Sequence, residues 1–294
     1  YMNAEEREQL GWYKIPTLQA SGDYSLLPVS QNEAYRIETD NKNEYFVIEY
    51  RKQEKWDSYI GKDGVIIYHV DKSQNMVGGM TAAQLWMYNM VNCFPSHRCM
   101  YLVDASNKNA AITADVFYPY DRNKSFNLDS KPASVSWNAL PLEVGLYNIA
   151  HDGEKATFQA KSENEKAHVG GIVSMYDGSP LSNAVVQLSP IVETRTASGL
   201  RMARAAKEED SYICRSNAQG QYGFYRLPAG KYLLSCQADK YMPVSYELQL
   251  ETGSTKQNIV MLTEDEQYYH EGFAWYNQED MPVMSVGTGG SDFV

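Results

Sequence analysis

Residues 44–71 read EYFVIEYRKQEKWDSYIGKDGVIIYHVD and contain two apolar, β-branched and aromatic segments with a polar stretch between them. Tyr45–Arg51 and Gly64–Val70 have the length of typical strands, and the GKDG sequence around the start of the second is a turn signal. Outward from this pair, the same alternation of strand-like segments and turn signals recurs at Tyr24–Val29 and Ala34–Thr39. The pattern predicts a mainly β fold that begins as a β-meander.

The remaining elements of this half are one helix and several further strands. Met2–Leu10 is predicted as a helix, with Asn3 as its N-cap and Gly11 as its end. Met80–Met90 has apolar residues at mixed spacing, so a short helix and a long ordered loop are both open. Strands are also predicted at Met100–Val103, Leu146–Ile149 and Ala156–Ala160.

Size and charge limit the classes of function. The chain has 294 residues, of which 43% are hydrophobic, and this is enough for two domains with ordinary cores. A net charge of −11, with Arg195–Lys207 as the densest basic stretch, argues against nucleic acid as a partner. No window approaches the roughly 18 to 20 apolar residues of a membrane span. No signal peptide or initiator methionine is present, and we interpret the chain as a fragment.

The second half has the pattern of a small β-sandwich. We expect a first domain at 1–160, a charged linker at 161–167, a sandwich at 168–263, and a tail or further domain at 264–294. Glu193–Asp210 is polar and charged, so we expect an exposed excursion there. Seven short strands are predicted, within HVGGIVSMY, AVVQLSP, SYICRS, QYGFYRL, KYLLSCQA, SYELQL and NIVML.

Two segments of the first half carry a family resemblance. They are EQLGWYKIPTL at Glu8–Leu18 and the stretch Glu44–Asp71 quoted above. Together they resemble the part of the immune inhibitor A family of secreted metallopeptidases that follows the catalytic helices. In that family a Leu-Gly-Trp segment precedes a Glu-x-Arg motif and an aromatic-His-x-Asp motif. The matching positions here are Glu49, Arg51, His69 and Asp71, and Asn92 and His97 are also consistent with the resemblance.

A zinc peptidase of this type needs HExxH on a helix, where two histidines face one metal and the glutamate activates water. The chain has no such motif, since the nearest sequence, His270-Glu271, has Ala274 at the position of the second histidine. The resemblance therefore implies a non-catalytic region, with zinc in an upstream catalytic domain.

The second half resembles the carboxypeptidase regulatory-like module, a transthyretin-like β-sandwich. The resemblance rests on GGIVSMYDGSPLSNAVVQL at Gly170–Leu188 and NAQGQYGFYRLPAGKYLLSCQADKY at Asn217–Tyr241. It implies an accessory, stabilising or docking role. The side chains expected to alternate into the core are Val185, Leu188, Tyr222, Phe224, Tyr232 and Leu234.

Two pairs of motif residues are candidates for a site. Residues i and i+2 of a strand share a face, so Glu49 and Arg51 are predicted as a structural ion pair, with a contact to a substrate carboxylate as the alternative. By the same rule, His69 and Asp71 could bind a metal or hydrogen-bond one another. A buried polar pair that stabilises the strand end is the competing interpretation.

Other candidates lie in turns. Asp57, Asp63, Asp71 and Asp104 offer oxygen ligands to a stabilising calcium ion, although no dense calcium-loop motif is present. Disulfides within each half of the chain, or free thiols, are both open for Cys93, Cys99, Cys214 and Cys236, and Cys93, His97 and Cys99 could also contribute to a metal site. The five tryptophans could line a groove for glycans or peptides, although core packing is expected for most of them. They are Trp12, Trp56, Trp86, Trp137 and Trp275.

Two functional hypotheses follow. In the first, the chain is the accessory region of a secreted zinc metalloendopeptidase, and it completes the peptidase fold and helps to dock a protein or peptide substrate. In the second, it is a stand-alone binding protein for surface glycans or proteins. Both place it outside the cell, as a secreted, cell-surface or periplasmic protein.

Overall fold

Strands dominate the architecture. The computed structural model describes residues 1–19, 21–108, 113–195, 201–205 and 211–266. Within these ranges α1 (Ala4–Gln9) and α2 (Ala82–Met87) are α-helices of six residues each, and residues 264–266 are also helical. The predicted mainly β fold class is confirmed.

The chain divides into two compact units. Unit 1 contains Tyr1–Val169 together with Tyr225–Ala229 and Glu251–Lys256, and unit 2 contains Gly170–Phe224, Gly230–Leu250 and the chain from Gln257. The segment predicted as a linker, 161–167, instead contains the end of one strand and the start of the next, and its Glu163 is buried. The charge of this segment was misleading because Glu163 has partners inside unit 1.

Unit 1 is built on two antiparallel sheets and a two-stranded hairpin. The first sheet has the strand order β2-β3-β4-β7, the second has the order β1-β9-β8, and β5 pairs with β6. Their bounds are β1 (Gly22–Leu26), β2 (Tyr35–Glu38), β3 (Glu44–Arg51), β4 (Gly64–Asp71), β5 (Met76–Val77), β6 (Met80–Thr81), β7 (Met100–Leu102), β8 (Val144–His151) and β9 (Ala156–Ser162).

The decisive stretch of sequence forms the centre of the first sheet. All eight residues of β3 are buried, and so are seven of the eight in β4. Strands that are buried on both faces lose the simple alternation of apolar and polar residues. Their polar residues are therefore buried too, and each needs a partner. Side chains from both sheets, among them Phe46, Ile67, Leu146 and Phe158, join in one hydrophobic core.

Both helices begin with a capping box. Asn3 Oδ1 accepts a hydrogen bond from Glu6 N in α1, and Thr81 Oγ1 accepts one from Gln84 N in α2. These bonds satisfy backbone donors that an α-helix leaves free at its N-terminus. The helix predicted at Met2–Leu10 is confirmed, and the open alternative at Met80–Met90 resolves in favour of a short helix.

Most of the predicted sandwich lies in unit 2. All seven predicted strands are present, and β12 and β17 are additional. The bounds are β10 (Ala167–Met175), β11 (Val185–Arg195), β12 (Arg201–Ala205), β13 (Tyr212–Arg215), β14 (Gln221–Leu227), β15 (Gly230–Gln237), β16 (Val244–Leu250), β17 (Gly253–Lys256) and β18 (Ile259–Met261). Of these strands, the whole of β17, the first three residues of β10 and the last three of β14 belong to unit 1.

Two predictions for this half are wrong in detail. Part of the expected excursion at Glu193–Asp210 is a hairpin, because β11 continues to Arg195 and pairs with β12, while residues 196–200 and 206–210 lie outside the described ranges. Val185 is half-buried, and Val186 takes the core position instead. The other five predicted core residues are buried.

Candidate functional site

A surface groove with two exposed tryptophans lies in unit 1. Its volume is about 720 Å³, within the usual range for ligand sites. Trp12 is 67% exposed and Trp56 is 84% exposed, so these two depart from the core packing that was expected for most tryptophans. The groove is lined by Tyr1, Met2, Glu6, Arg7, Trp12, Asn32 and Trp56.

The end of α1 places Trp12 in the groove. Gly11 follows the helix with a φ of +71°, a left-handed conformation that glycine adopts without strain. The backbone N–H of Trp12 then donates to the carbonyl of Arg7 at 2.9 Å. The Leu-Gly-Trp segment thus turns the chain out of the helix and fixes the position of the Trp12 backbone.

A short 3-10 turn, Lys55–Asp57, carries Trp56. Asp57 is 3% exposed, and its Oδ2 accepts a hydrogen bond from Arg51 Nη1 at 2.9 Å. The turn is therefore attached to β3 by a buried charged contact, while the indole beside it stays exposed to solvent.

Glu49, Arg51 and Asp57 form one buried network beneath the groove. Glu49 Oε1 accepts from Arg51 Nε at 2.7 Å, and Glu49 Oε2 accepts from the backbone N–H of Ala4 at 2.7 Å. Burial alone would lower the pKa of Arg51, but the nearby charge of Glu49 and the hydrogen bonds from Arg51 raise it well above its ordinary value. The geometry agrees with the structural ion pair predicted from the sequence. The network joins β3 to α1 and to the turn of Trp56.

Arg7 provides the polar floor of the groove. Its side chain is only 9% exposed, and its Nη1 donates to Val29 O at 2.6 Å and to Asn32 Oδ1 at 2.5 Å. Asn32 has a left-handed φ of +61° at the end of a 3-10 turn. The sequence analysis did not identify Arg7 or Asn32 as site residues. The one local indication for Arg7 is its position one helical turn before the Leu-Gly-Trp segment.

The histidine motif forms a second polar cluster, below the surface. The hydrogen bond considered as one alternative for His69 and Asp71 does not form, because each side chain has another partner. His69 Nε2 contacts Glu44 Oε1 at 2.9 Å, and His69 Nδ1 contacts the Tyr101 hydroxyl at 2.9 Å. Glu44, which the sequence did not single out, lies opposite Asp71 in the β3–β4 register. The competing interpretation, buried polar groups that stabilise the strand end, describes this arrangement.

Asp71 takes His97 as its partner. His97 Nε2 contacts Asp71 Oδ2 at 2.7 Å, and the backbone N–H of Ser73 donates to Asp71 Oδ1 at 2.8 Å. Burial acts to raise the pKa of Asp71, but the hydrogen bonds from His97 and Ser73 outweigh it and hold that pKa below its ordinary value.

Aromatic rings cover both histidines. The imidazole of His97 stacks on Trp137 at a centroid distance of 3.9 Å, and His69 stacks on Phe46 at 4.1 Å. Such stacking and the two carboxylate partners account for the packing of the cluster. Nothing in this geometry supplies an exposed nucleophile beside a base.

The remaining turn candidates are used locally. Asn92 exchanges two hydrogen bonds with the backbone of Met100, at 2.7 Å and 3.1 Å. Asp104 accepts from the backbone of Ser106 and Lys108, and Asp63 accepts from the backbone of Gln53. The four aspartates considered for calcium therefore serve different turns and ion pairs. Among the residues that the structure describes, no group of three or more metal-ligating side chains could hold a metal ion.

The four cysteines are free thiols. Cys214 and Cys236 both lie opposite Val186, one on each side of β11. Strands in a sheet are about 4.8 Å apart, so the two Cα atoms are roughly 10 Å apart, too far for a disulfide. Burial raises the pKa of each of these thiols to about 11. In the other half Cys93 is exposed and Cys99 is buried, and burial raises the pKa of Cys99 to about 12.

Two further sequence predictions concern a membrane span and the C-terminal tail. No helix in the described ranges has the length and hydropathy to cross a bilayer. His270, Glu271, Ala274 and Trp275 belong to the stretch after residue 266 and lie outside the described residues.

Comparison with known proteins leaves the family open. No family model matches the chain, and no curated protein matches it. Among solved structures, it is similar to the C-terminal domain of the shaft pilin spaA from Lactobacillus rhamnosus GG, at 10% identity and a TM-score of 0.25, over 33% of this chain and 98% of that one. A proposed carbohydrate-binding protein from Pseudomonas aeruginosa matches at 11% identity and a TM-score of 0.23, over 34% of this chain and 90% of that one.

A third similar structure is the minor pilin GBS52 from Streptococcus agalactiae, at 16% identity and a TM-score of 0.25, over 41% of this chain and 59% of that one. At these TM-scores none of the three likenesses carries an argument about function.

Proposed function

We propose that the chain is a non-catalytic, extracellular binding protein that holds an oligosaccharide in the groove of Trp12 and Trp56. One observation carries the proposal: two largely exposed indoles line the same groove, and buried contacts to β3 anchor the segments that present them. Large exposed aromatic side chains on a firmly held backbone are typical of binding sites.

The chemistry of the lining suits a sugar. The C–H face of a pyranose ring is apolar and packs on an indole, while its hydroxyl groups need hydrogen-bond partners around the rim. Asn32, Glu6 and Arg7 provide polar groups beside the two indoles. A groove of about 720 Å³ accommodates a short saccharide.

The same lining argues for binding without hydrolysis of the sugar. Most glycosidases use a pair of carboxyl groups on either side of the scissile bond. Glu6 is the one carboxylate among the seven residues that line the groove. It also accepts a hydrogen bond from Asn3 N at 2.9 Å as part of the helix cap.

The peptidase hypothesis stays a prediction about a longer protein. Glu49, Arg51, His69 and Asp71, which carry the resemblance to immune inhibitor A, are buried and make structural contacts in unit 1. An HExxH motif on a helix encoded before Tyr1 would support that hypothesis, and a binding groove could serve such an enzyme as a docking site.

Glycan-array screening followed by calorimetry tests the proposed function. We expect Trp12→Ala and Trp56→Ala each to weaken binding by about tenfold or more, because loss of a stacking aromatic side chain costs on the order of 1.4 kcal/mol or more. Tyr59→Ala is the matched control, since Tyr59 is 98% exposed and close in sequence to Trp56 but does not line the groove. Unchanged affinity in both tryptophan variants, or no glycan bound by the wild type, would refute the proposal.

A further inference from the structure

We propose that the saccharide bound in this groove is acidic and that Arg7 binds its carboxylate, as in a uronate or a sialate. The inference rests on the proposed glycan-binding function and adds the chemical class of the ligand. It comes from how the guanidinium of Arg7 is held and from which of its donors are used.

The guanidinium is fixed in place before any ligand arrives. Nη1 is held by Val29 O and Asn32 Oδ1, and the side chain lies against the body of unit 1 with 9% of its surface exposed. A planar guanidinium held in this way has lost most of its rotational freedom, so a further hydrogen bond costs little additional entropy.

The other donors of Arg7 are available. Across the described parts of the chain, the side-chain hydrogen bonds of Arg7 are both made by Nη1. Nε and Nη2 are not among the buried side-chain atoms that lack a hydrogen-bond partner. Because Arg7 lines the groove, these donors can meet a ligand there. The fork of N–H groups on a guanidinium matches the two oxygens of a carboxylate.

Arg7 is the positively charged side chain among the residues that line the groove. Within the lining, its counter-charge is Glu6, which is exposed and is turned to the helix cap at Asn3. Neither acceptor of Nη1 is a carboxylate, since one is a backbone carbonyl and the other an amide oxygen. The positive charge is therefore not neutralised by a direct ion pair, and an anionic ligand can supply the missing partner.

Paired acidic and neutral sugars test the inference by calorimetry. The probes are trigalacturonate with its methyl ester, and sialyllactose with lactose. We expect at least one acidic member to bind about 10- to 100-fold more tightly than its neutral counterpart, the range for a charged hydrogen-bonded pair. Arg7→Gln should bring that ratio close to one, while Trp12→Ala should weaken binding of both members.

Two further measurements test the inference even if the Arg7→Gln variant fails to fold. Glu6→Gln keeps the helix cap, because glutamine also forms a capping box, and it should strengthen binding of the acidic sugar a few-fold. With the wild-type protein, raising the salt concentration should weaken binding of the acidic sugar and leave the neutral sugar unaffected.

The outcomes separate the two proposals. Equal affinity for acidic and neutral members, or an acidic preference that survives Arg7→Gln in a folded variant, overturns the role of Arg7 and leaves the glycan-binding function standing. Absence of binding to every saccharide in the array and in the pairs overturns both.

Discussion

At the scale of single residues, polar side chains that are buried in unit 1 have specific hydrogen-bond partners. His168 is an example: it is fully buried, its Nε2 lies 2.8 Å from Glu163 O, and its Nδ1 accepts from Arg226 N at 3.2 Å. A backbone carbonyl can only accept and a backbone N–H can only donate, so the geometry requires the neutral tautomer with its proton on Nε2.

This tautomer predicts an acid-sensitive contribution to stability. Burial lowers the pKa of His168, and the positive charge of Arg226 lowers it further, although the contacts with Glu163 act in the opposite direction. The unfolded chain therefore takes up a proton below a pH of about 6.5, while the folded protein resists protonation to a lower pH. The free energy of unfolding should fall as the pH drops below that value, by up to about 1.4 kcal/mol per pH unit.

Urea unfolding of the wild type and of His168→Gln, between neutral and mildly acidic pH, measures the contribution of His168 to the pH dependence of the free energy of unfolding. The variant has no imidazole to titrate, so its curve should be flatter across the same window. Other groups titrate identically in both proteins and cancel in the difference. Parallel curves for the two proteins would show that His168 contributes no pH dependence.

At the scale of elements, the turn after α1 couples the helix to the groove. Gly11 has a φ of +71°, and a Cβ at this position would meet no atom within 4 Å. Any penalty of Gly11→Ala is therefore conformational rather than steric, about 1–2 kcal/mol for a non-glycine residue in a left-handed conformation.

We expect Gly11→Ala to lower stability by that amount and also to weaken glycan binding, because the strain is relieved by moving Trp12. Gly153→Ala is the matched control: Gly153 has a φ of +91°, also with open space around it, but it lies in the turn between β8 and β9. The control should lose similar stability and keep its affinity. If both variants bound the glycan with the same affinity, the position of Trp12 would not depend on the turn at the end of α1.

Local sequence signals were sufficient for these elements. The Asn3 cap and the Gly11 stop of α1, and the run of β-branched residues in β4, are read from neighbours along the chain, and both elements were predicted. The pairing of β11 with β12 was not predicted, because residues 193–195 and 201–205 carry no apolar alternation and only the register between the two strands shows them as strand.

At the scale of the whole molecule, packing rather than cross-linking holds the described structure together. The four cysteines are free, and β11 separates Cys214 from Cys236. We expect the melting temperature to be the same with and without a reducing agent, and thiol titration of the unfolded, unreduced protein to count four groups. A count below four would contradict the free thiols, and a bridged peptide containing Cys214 and Cys236 would contradict the strand register.

The sequence by itself determined the fold class, the seven strands of the second half, the ends of α1 and the Glu49–Arg51 pair. These depend on contacts between residues that are close along the chain or on one strand face. Only the tertiary structure decided that His69 and Asp71 turn to Glu44 and His97, and that Arg7, Asn32, Trp12 and Trp56 line one groove. The physical reason is that partners far apart in sequence are chosen by strand register and by the path of the chain between elements, and no local pattern records either.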